Sequence, residues 1–190
     1  MLRPGLIAAY LLAIVAANLT LAEWGREHPE VALYNAFVFI AFDLVARDYL
    51  HTAWEGRNLI RNMALLIAGG AALSYVAGLW IGSGPDVGRI ALASCIAFAA
   101  AGVTDALAYA GMHAYGWLER INGSNIVSAT VDSFVFIALW PFGFDFALAF
   151  TLAAVKVAGG VTWSLVLKRV WFDRRESERL RQAFLDAKRC

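Results

Sequence analysis

Six apolar stretches divide this chain, at about residues 5–22, 31–46, 59–82, 88–110, 125–141 and 146–167. An α-helix rises about 1.5 Å per residue, so most of them reach across a hydrocarbon core of ~30 Å; the second and fifth are short and lean on flanking residues. The sequence therefore predicts an all-α, polytopic membrane protein of six transmembrane helices. Composition agrees: of 190 residues, 61% are hydrophobic and 16% charged, with a mean hydropathy of +0.61, outside the range of soluble globular chains.

The basic residues set the orientation. Thirteen of the sixteen Lys and Arg fall in segments that are cytoplasmic if the N-terminus is inside: Arg3, then Arg47, Arg57 and Arg61, then Arg120, then eight from Lys168 onward. Only Arg26 and Arg89 fall in outer loops, and Lys156 lies within a span. Both termini are expected inside. With a net charge of only +1, this asymmetry reports topology and gives no footing for nucleic acid. Residues 1–168 are expected to form the membrane domain and 169–190 a basic cytoplasmic tail. There Leu180, Ala183, Phe184 and Ala187 recur with helical spacing, as in an amphipathic helix resting on the lipid bilayer. The first span is expected to stay as a signal anchor, since Asn18 interrupts its apolar run and more spans follow. Trp24, Trp54, Trp80, Trp117, Trp140 and Trp171 lie near predicted helix ends, like interfacial anchors. Pro29 suits a turn before the second helix, and Pro141 to Phe144 a tight hairpin between the last two. Alanines recur every four residues at Ala9, Ala13 and Ala17, at Ala64, Ala68 and Ala72, and at Ala93, Ala97 and Ala101, a spacing that lets helices approach closely in lipid.

Against this background the ionisable residues inside spans carry the functional signal. In GSNIVSATVDSFVF, Gly123 to Phe136, the residues Asn125, Ser128 and Asp132 are spaced i, i+3, i+7 and share one helix face. A charged Asp at the bilayer centre costs roughly 2.5–3.5 kcal/mol on insertion scales, so it should face the bundle interior and meet a partner there. Lys156 is the most economical partner for Asp132 or Asp105, because an unpaired ammonium is as costly as an unpaired carboxylate. Asp43 shares a stripe with Asn35, Phe39 and Arg47; acid before base at i, i+4 also allows a local Asp43–Arg47 bridge at the cytoplasmic boundary. By depth, Asn18 and Asn35 belong to the outer half, Asp132 and Lys156 to the middle, and Asp43, Asp105 and Asn125 to the cytoplasmic side. Together they outline a polar track across the membrane.

Enzymatic readings find little support. The GSG at Gly82 to Gly84 lacks the strand–turn–helix setting of a nucleophile elbow, and His28, His51 and His113 show no metal-ligand spacing. Cys95 and Cys190 have no ligand-like spacing either. No cofactor and no metal are expected.

Four segments resemble the queuosine-precursor transporters, also called the vitamin uptake transporter family. They are AANLT at Ala16 to Thr20, DLVARDYLHTAWEG at Asp43 to Gly56, ASCIAF at Ala93 to Phe98 followed by Asp105, and SNIVSATVDSFVF at Ser124 to Phe136. The resemblance covers most of residues 10–168. It implies a six-helix fold like that of the substrate-binding subunits of energy-coupling-factor transporters, placed in a bacterial inner membrane. It also implies uptake of 7-cyano-7-deazaguanine or a related 7-deazapurine. Asn125, Ser128, Asp132 and Ser133 match the family's polar motif, Asp105 its fourth-span acid, and Asp43, Arg47 and Asp48 its boundary motif. The chain departs from the family at Ala101 and Gly102, where members often carry Ser-Glu. The ligand chemistry is compatible: one carboxylate accepts from a ring NH and an exocyclic amine together, and an amide donates to the ring carbonyl. Asp132 or Asp105 suits the first role and Asn125 the second, and Phe98, Phe136, Trp140 and Trp163 are candidates to stack on the flat ring. Two other readings stay open: the binding subunit of an ATP-driven system with an energy-coupling partner, and a structural membrane protein whose buried charges only fix helix register.

Overall fold

A chain in lipid must satisfy its backbone polar groups internally, and the apolar runs do so as helices. The computed structural model describes residues 4–24, 28, 30–56, 58–81, 86–141 and 143–169. It contains six helices in chain order, with no strand among the described residues. These are α1 (Pro4–Trp24), α2 (31–54), α3 (Leu59–Ile81), α4 (Val87–Gly111), α5 (Trp117–Leu139) and α6 (Phe146–Leu167). Helix α2 is α-helical over Val31–Asn35 and Ala41–Trp54, with a π-helical turn, Ala36–Ile40, between them. The expected turn at Pro29, the GSG at Gly82 to Gly84 and the tail beyond 169, with Trp171, lie outside the described residues.

Length and apolarity alone qualify α3, α4, α6 and the Pro4–Leu21 part of α1 as spans. The two that fall short, α2 and α5, also run well past the apolar stretches that announced them. Packing explains both facts. Helix α2 touches all five other helices, so its polar residues meet protein rather than lipid, and every residue from Asp43 to Leu50 is buried. The early turns of α5 are polar but occupied: Arg120 pairs with Glu55 at 2.9 Å, donates to the Tyr109 carbonyl oxygen at 3.3 Å and lies 4.1 Å over the Tyr109 ring.

Two expectations change as a result. Arg47, counted above with the cytoplasmic segments, is 1% exposed inside the bundle; without it the basic asymmetry keeps its sign. Trp54 packs in the core with Tyr49, Leu50 and Met63 and is no interfacial anchor, whereas Trp24 and Trp80 are exposed at helix ends. The alanine ridges also divide. Ala93, Ala97 and Ala101 are buried within the bundle, while Ala64, Ala68 and Ala72 face outward.

Helices α2 and α6 approach closely. A Cβ added at Gly159 would collide with the Phe37 carbonyl oxygen and lie 2.6 Å from the Ala41 Cβ. One turn further on, the Trp163 indole N–H donates to the Val38 carbonyl oxygen at 2.9 Å. Both contacts fall on the π-helical turn. At the hairpin between α5 and α6, Gly143 adopts φ +96°, and the Asp145 side chain caps α6 by accepting from Leu148 N–H at 2.9 Å.

Candidate functional site

The first half of α2 packs against the later halves of α1, α3 and α5 and the early halves of α4 and α6. Between them lies a cavity of about 140 Å³. Its apolar walls are Ala, Leu and Ile with three aromatic rings, Phe39, Phe98 and Phe136. Its polar groups are Asn18, Asn35, Asp43, Ser74, Ser94, Asp132 and Lys156. It lies in the half of the bundle where α1 hands over to α2, α3 to α4 and α5 to α6.

The side chains differ in what they have left to offer a guest. The Lys156 ammonium donates to Asp132 Oδ2 at 2.5 Å and to Ser133 Oγ at 2.9 Å, so the ion pair is formed inside the bundle and both of its members line the cavity. Arg47 Nη2 donates to Asp43 Oδ2 at 2.5 Å, while Asp43 Oδ1 is buried without a hydrogen-bond partner. The Asn35 amide is already engaged: Nδ2 donates to the Ala17 carbonyl oxygen at 2.9 Å and Oδ1 accepts from Thr20 at 2.8 Å. Asn18 donates to the Ile14 carbonyl oxygen at 2.8 Å through Nδ2. Among these groups, Asp43 combines a cavity-lining position with an unused buried acceptor. Trp140 stands behind the cavity wall with its ring 5.1 Å from that of Phe136, and Trp163 packs on Phe42 instead.

The remaining sequence candidates lie deeper. Asn125 and Ser128 do share an inward face with Asp132, but seven residues of helix separate Asn125 from Asp132 by about 10 Å along the axis. Asp132 therefore reaches the cavity, and Asn125, Ser128 and Asp105 do not line it. Asn125 points at Gly160, where an added Cβ would lie 3.2 Å from its Nδ2, and neither of its polar atoms has a partner. Asp105 is fully buried beside Asp48, Ser124 and Ser128. Arg47 connects the two levels. Its guanidinium lies 5.0 Å over the cavity-lining Phe98 ring, and its Nη1 is 4.0 Å from Asp105 Oδ2. Gly102 makes room for it: a Cβ there would be 3.0 Å from Nη1. Sequence reasoning missed Tyr10, whose buried hydroxyl has no hydrogen-bond partner and lies against Gly70; an aromatic in an apolar span carries no signal of that kind.

A six-helix membrane bundle with a small, ion-lined cavity inside it is the architecture of a membrane carrier of small molecules. Over residues 6–172 the chain matches the family described as "putative vitamin uptake transporter", and it belongs to that family. No curated protein and no solved structure matches it. The protein is a multi-pass membrane protein of an uptake-transporter family.

Proposed function

We propose that this transporter imports 7-cyano-7-deazaguanine or a related 7-deazapurine across a bacterial inner membrane, binding it in the cavity lined by Asp43, Asp132 and Lys156. The observation that carries the reading is the unused Asp43 Oδ1 at the wall of a cavity that also presents three aromatic rings. A deazapurine brings two adjacent N–H donors for a carboxylate, a carbonyl acceptor for an ammonium, and a flat face for the rings. The apolar walls and the rings of Phe39, Phe98 and Phe136 suit the flat, largely apolar faces of a bare base. In this reading Asp43 takes the role that the ligand chemistry left to Asp132 or Asp105, and Lys156 stands with Asp132 as the acceptor-binding end.

A thermal-shift panel of nucleobases on detergent-purified protein tests it. A guest at a hundredfold its dissociation constant adds ~2.7 kcal/mol of stability. 7-Cyano-7-deazaguanine should stabilise the protein, adenine should not, and Asp43→Asn should weaken binding about tenfold or more through loss of a charge-assisted bond worth ~1.5–3 kcal/mol. Stabilisation by no nucleobase would leave the structural reading of the buried charges in place. Uptake into vesicles containing only this chain, without ATP, separates a solo carrier from a subunit that needs an energy-coupling partner.

A further inference from the structure

We propose that Asp48 and Asp105 hold a proton between them, and that this pair is the site through which the carrier couples import to the proton gradient. The coupling rests on the transport reading above; the proton site itself does not.

The argument begins with a charge balance. Four carboxylates, Asp43, Asp48, Asp105 and Asp132, share the interior with two cations, Arg47 and Lys156. Lys156 is held by Asp132 and Ser133, and Arg47 Nη2 by Asp43. What remains for the other two acids is Arg47 Nη1, buried, without a hydrogen-bond partner, and 4.0 Å from Asp105 Oδ2. Asp48 and Asp105 come from α2 and α4 and lie against one another, 1% and 0% exposed. Ser124 Oγ donates to Asp48 Oδ2 at 2.7 Å, yet neither Asp105 oxygen has a well-formed hydrogen bond. Two carboxylates in contact away from water do not both carry charge at low cost; a proton on one supplies a donor to the other and removes the surplus charge.

The neighbours on every packed helix fit this role. Tyr10 approaches from α1, Arg47 and Asp43 from α2, Tyr109 from α4, and Ser124 and Ser128 from α5; apolar Ile67 of α3 packs on Gly102, one turn before Asp105, and Lys156 of α6 is committed to Asp132. Polar groups also lead away on both sides. Asp43, Arg47, His51 and Glu55 follow at four-residue intervals along α2 from the cavity to the far end of the helix. His51 is buried, and its Nδ1, without a hydrogen-bond partner, lies 3.9 Å from the exposed Glu55 carboxylate. The proton enters from the outer solution, resides on the acid pair and leaves to the inner solution, with no other bond made or broken. Arg47 links it to the cavity. With the pair protonated, the guanidinium stays on Asp43, the arrangement observed, and fixes Asp43 Oδ1 for the guest. Loss of the proton draws Arg47 toward Asp105 and undoes that arrangement, so proton and guest leave together.

Infrared difference spectroscopy of the detergent-purified full chain tests the proton site without any substrate. The carbonyl-stretch band of a protonated carboxylic acid should persist at pH 7, shift in D2O, and vanish in both Asp48→Asn and Asp105→Asn. Ser124→Ala keeps both acids and should change the band's frequency by removing a hydroxyl donor, which keeps the test decisive if an Asn variant misfolds. A missing band at pH 7, or one indifferent to all three substitutions, overturns the proposal. Coupling is read in vesicles with 7-cyano-7-deazaguanine, where one-proton coupling allows about tenfold accumulation per pH unit of gradient. Asp105→Asn should equilibrate the base without concentrating it. Accumulation that ignores the gradient overturns the coupling. A band that behaves as expected, together with no uptake of the base, overturns the substrate assignment and leaves the proton site standing.

Discussion

At the scale of single residues, two buried ion pairs, Lys156–Asp132 and Arg47–Asp43, organise the polar interior around the cavity. Lys156 in a sixth span and Asp132 in a fifth were conspicuous in the sequence because each is too costly to leave alone in lipid, and they meet at 2.5 Å. Removing one partner strands the other: Lys156→Met should lower stability by about 3 kcal/mol, read as a drop in thermal midpoint in detergent. Adding Asp132→Asn should recover most of that loss, since the double variant buries no lone charge. A single variant as stable as the parent would mean that water already screens Asp132. The Asp43–Arg47 bridge was legible for another reason, the i, i+4 spacing within one helix. The meeting of Asp48 with Ser124 was not, because 76 residues separate them and no local pattern joins α2 to α5.

At the scale of elements, the two helices read least well are the two that other helices cover most. Apolar runs located α1, α3, α4 and α6 almost to their ends, since lipid-facing surface must be apolar. They stopped short on α2 at 46 and started late on α5 at 125, because the polar turns beyond those points pack on protein. The π-helical turn at Ala36–Ile40 has no signature in AFVFI; it shows only where α6 presses against it. Gly159 is what admits that contact. Gly159→Ala should therefore destabilise by about 1–3 kcal/mol, as overpacking does. Gly69→Ala, with nothing within 4 Å of the added methyl, should be neutral or gain up to ~1 kcal/mol from helix propensity. Equal effects from the two substitutions would show that the α2–α6 seam yields easily.

For the molecule as a whole, the ionisable groups concentrate on and around one central helix, with apolar neighbours turning their outer faces to lipid. That arrangement has a direction. The cavity opens the half of the bundle where α1 meets α2, and the Asp48–Asp105 level fills the other half, so function depends on which half faces out. By the positive-inside rule the cavity half is expected outside even with Arg47 removed from the balance, because the tail and the α2–α3 connection still hold most of the basic residues. Thiol labelling checks this in intact spheroplasts, in a background with Cys95 and Cys190 replaced by Ser. Arg89→Cys, near the start of α4, should react with a membrane-impermeant maleimide from outside. Tyr115→Cys, exposed in the turn before α5, should react only after permeabilisation. The opposite pattern would invert the carrier and turn its cavity toward the cytoplasm, and the same cavity would then serve export or release. Labelling of both from one side would break the crossing of α4 that every other contact in the bundle requires.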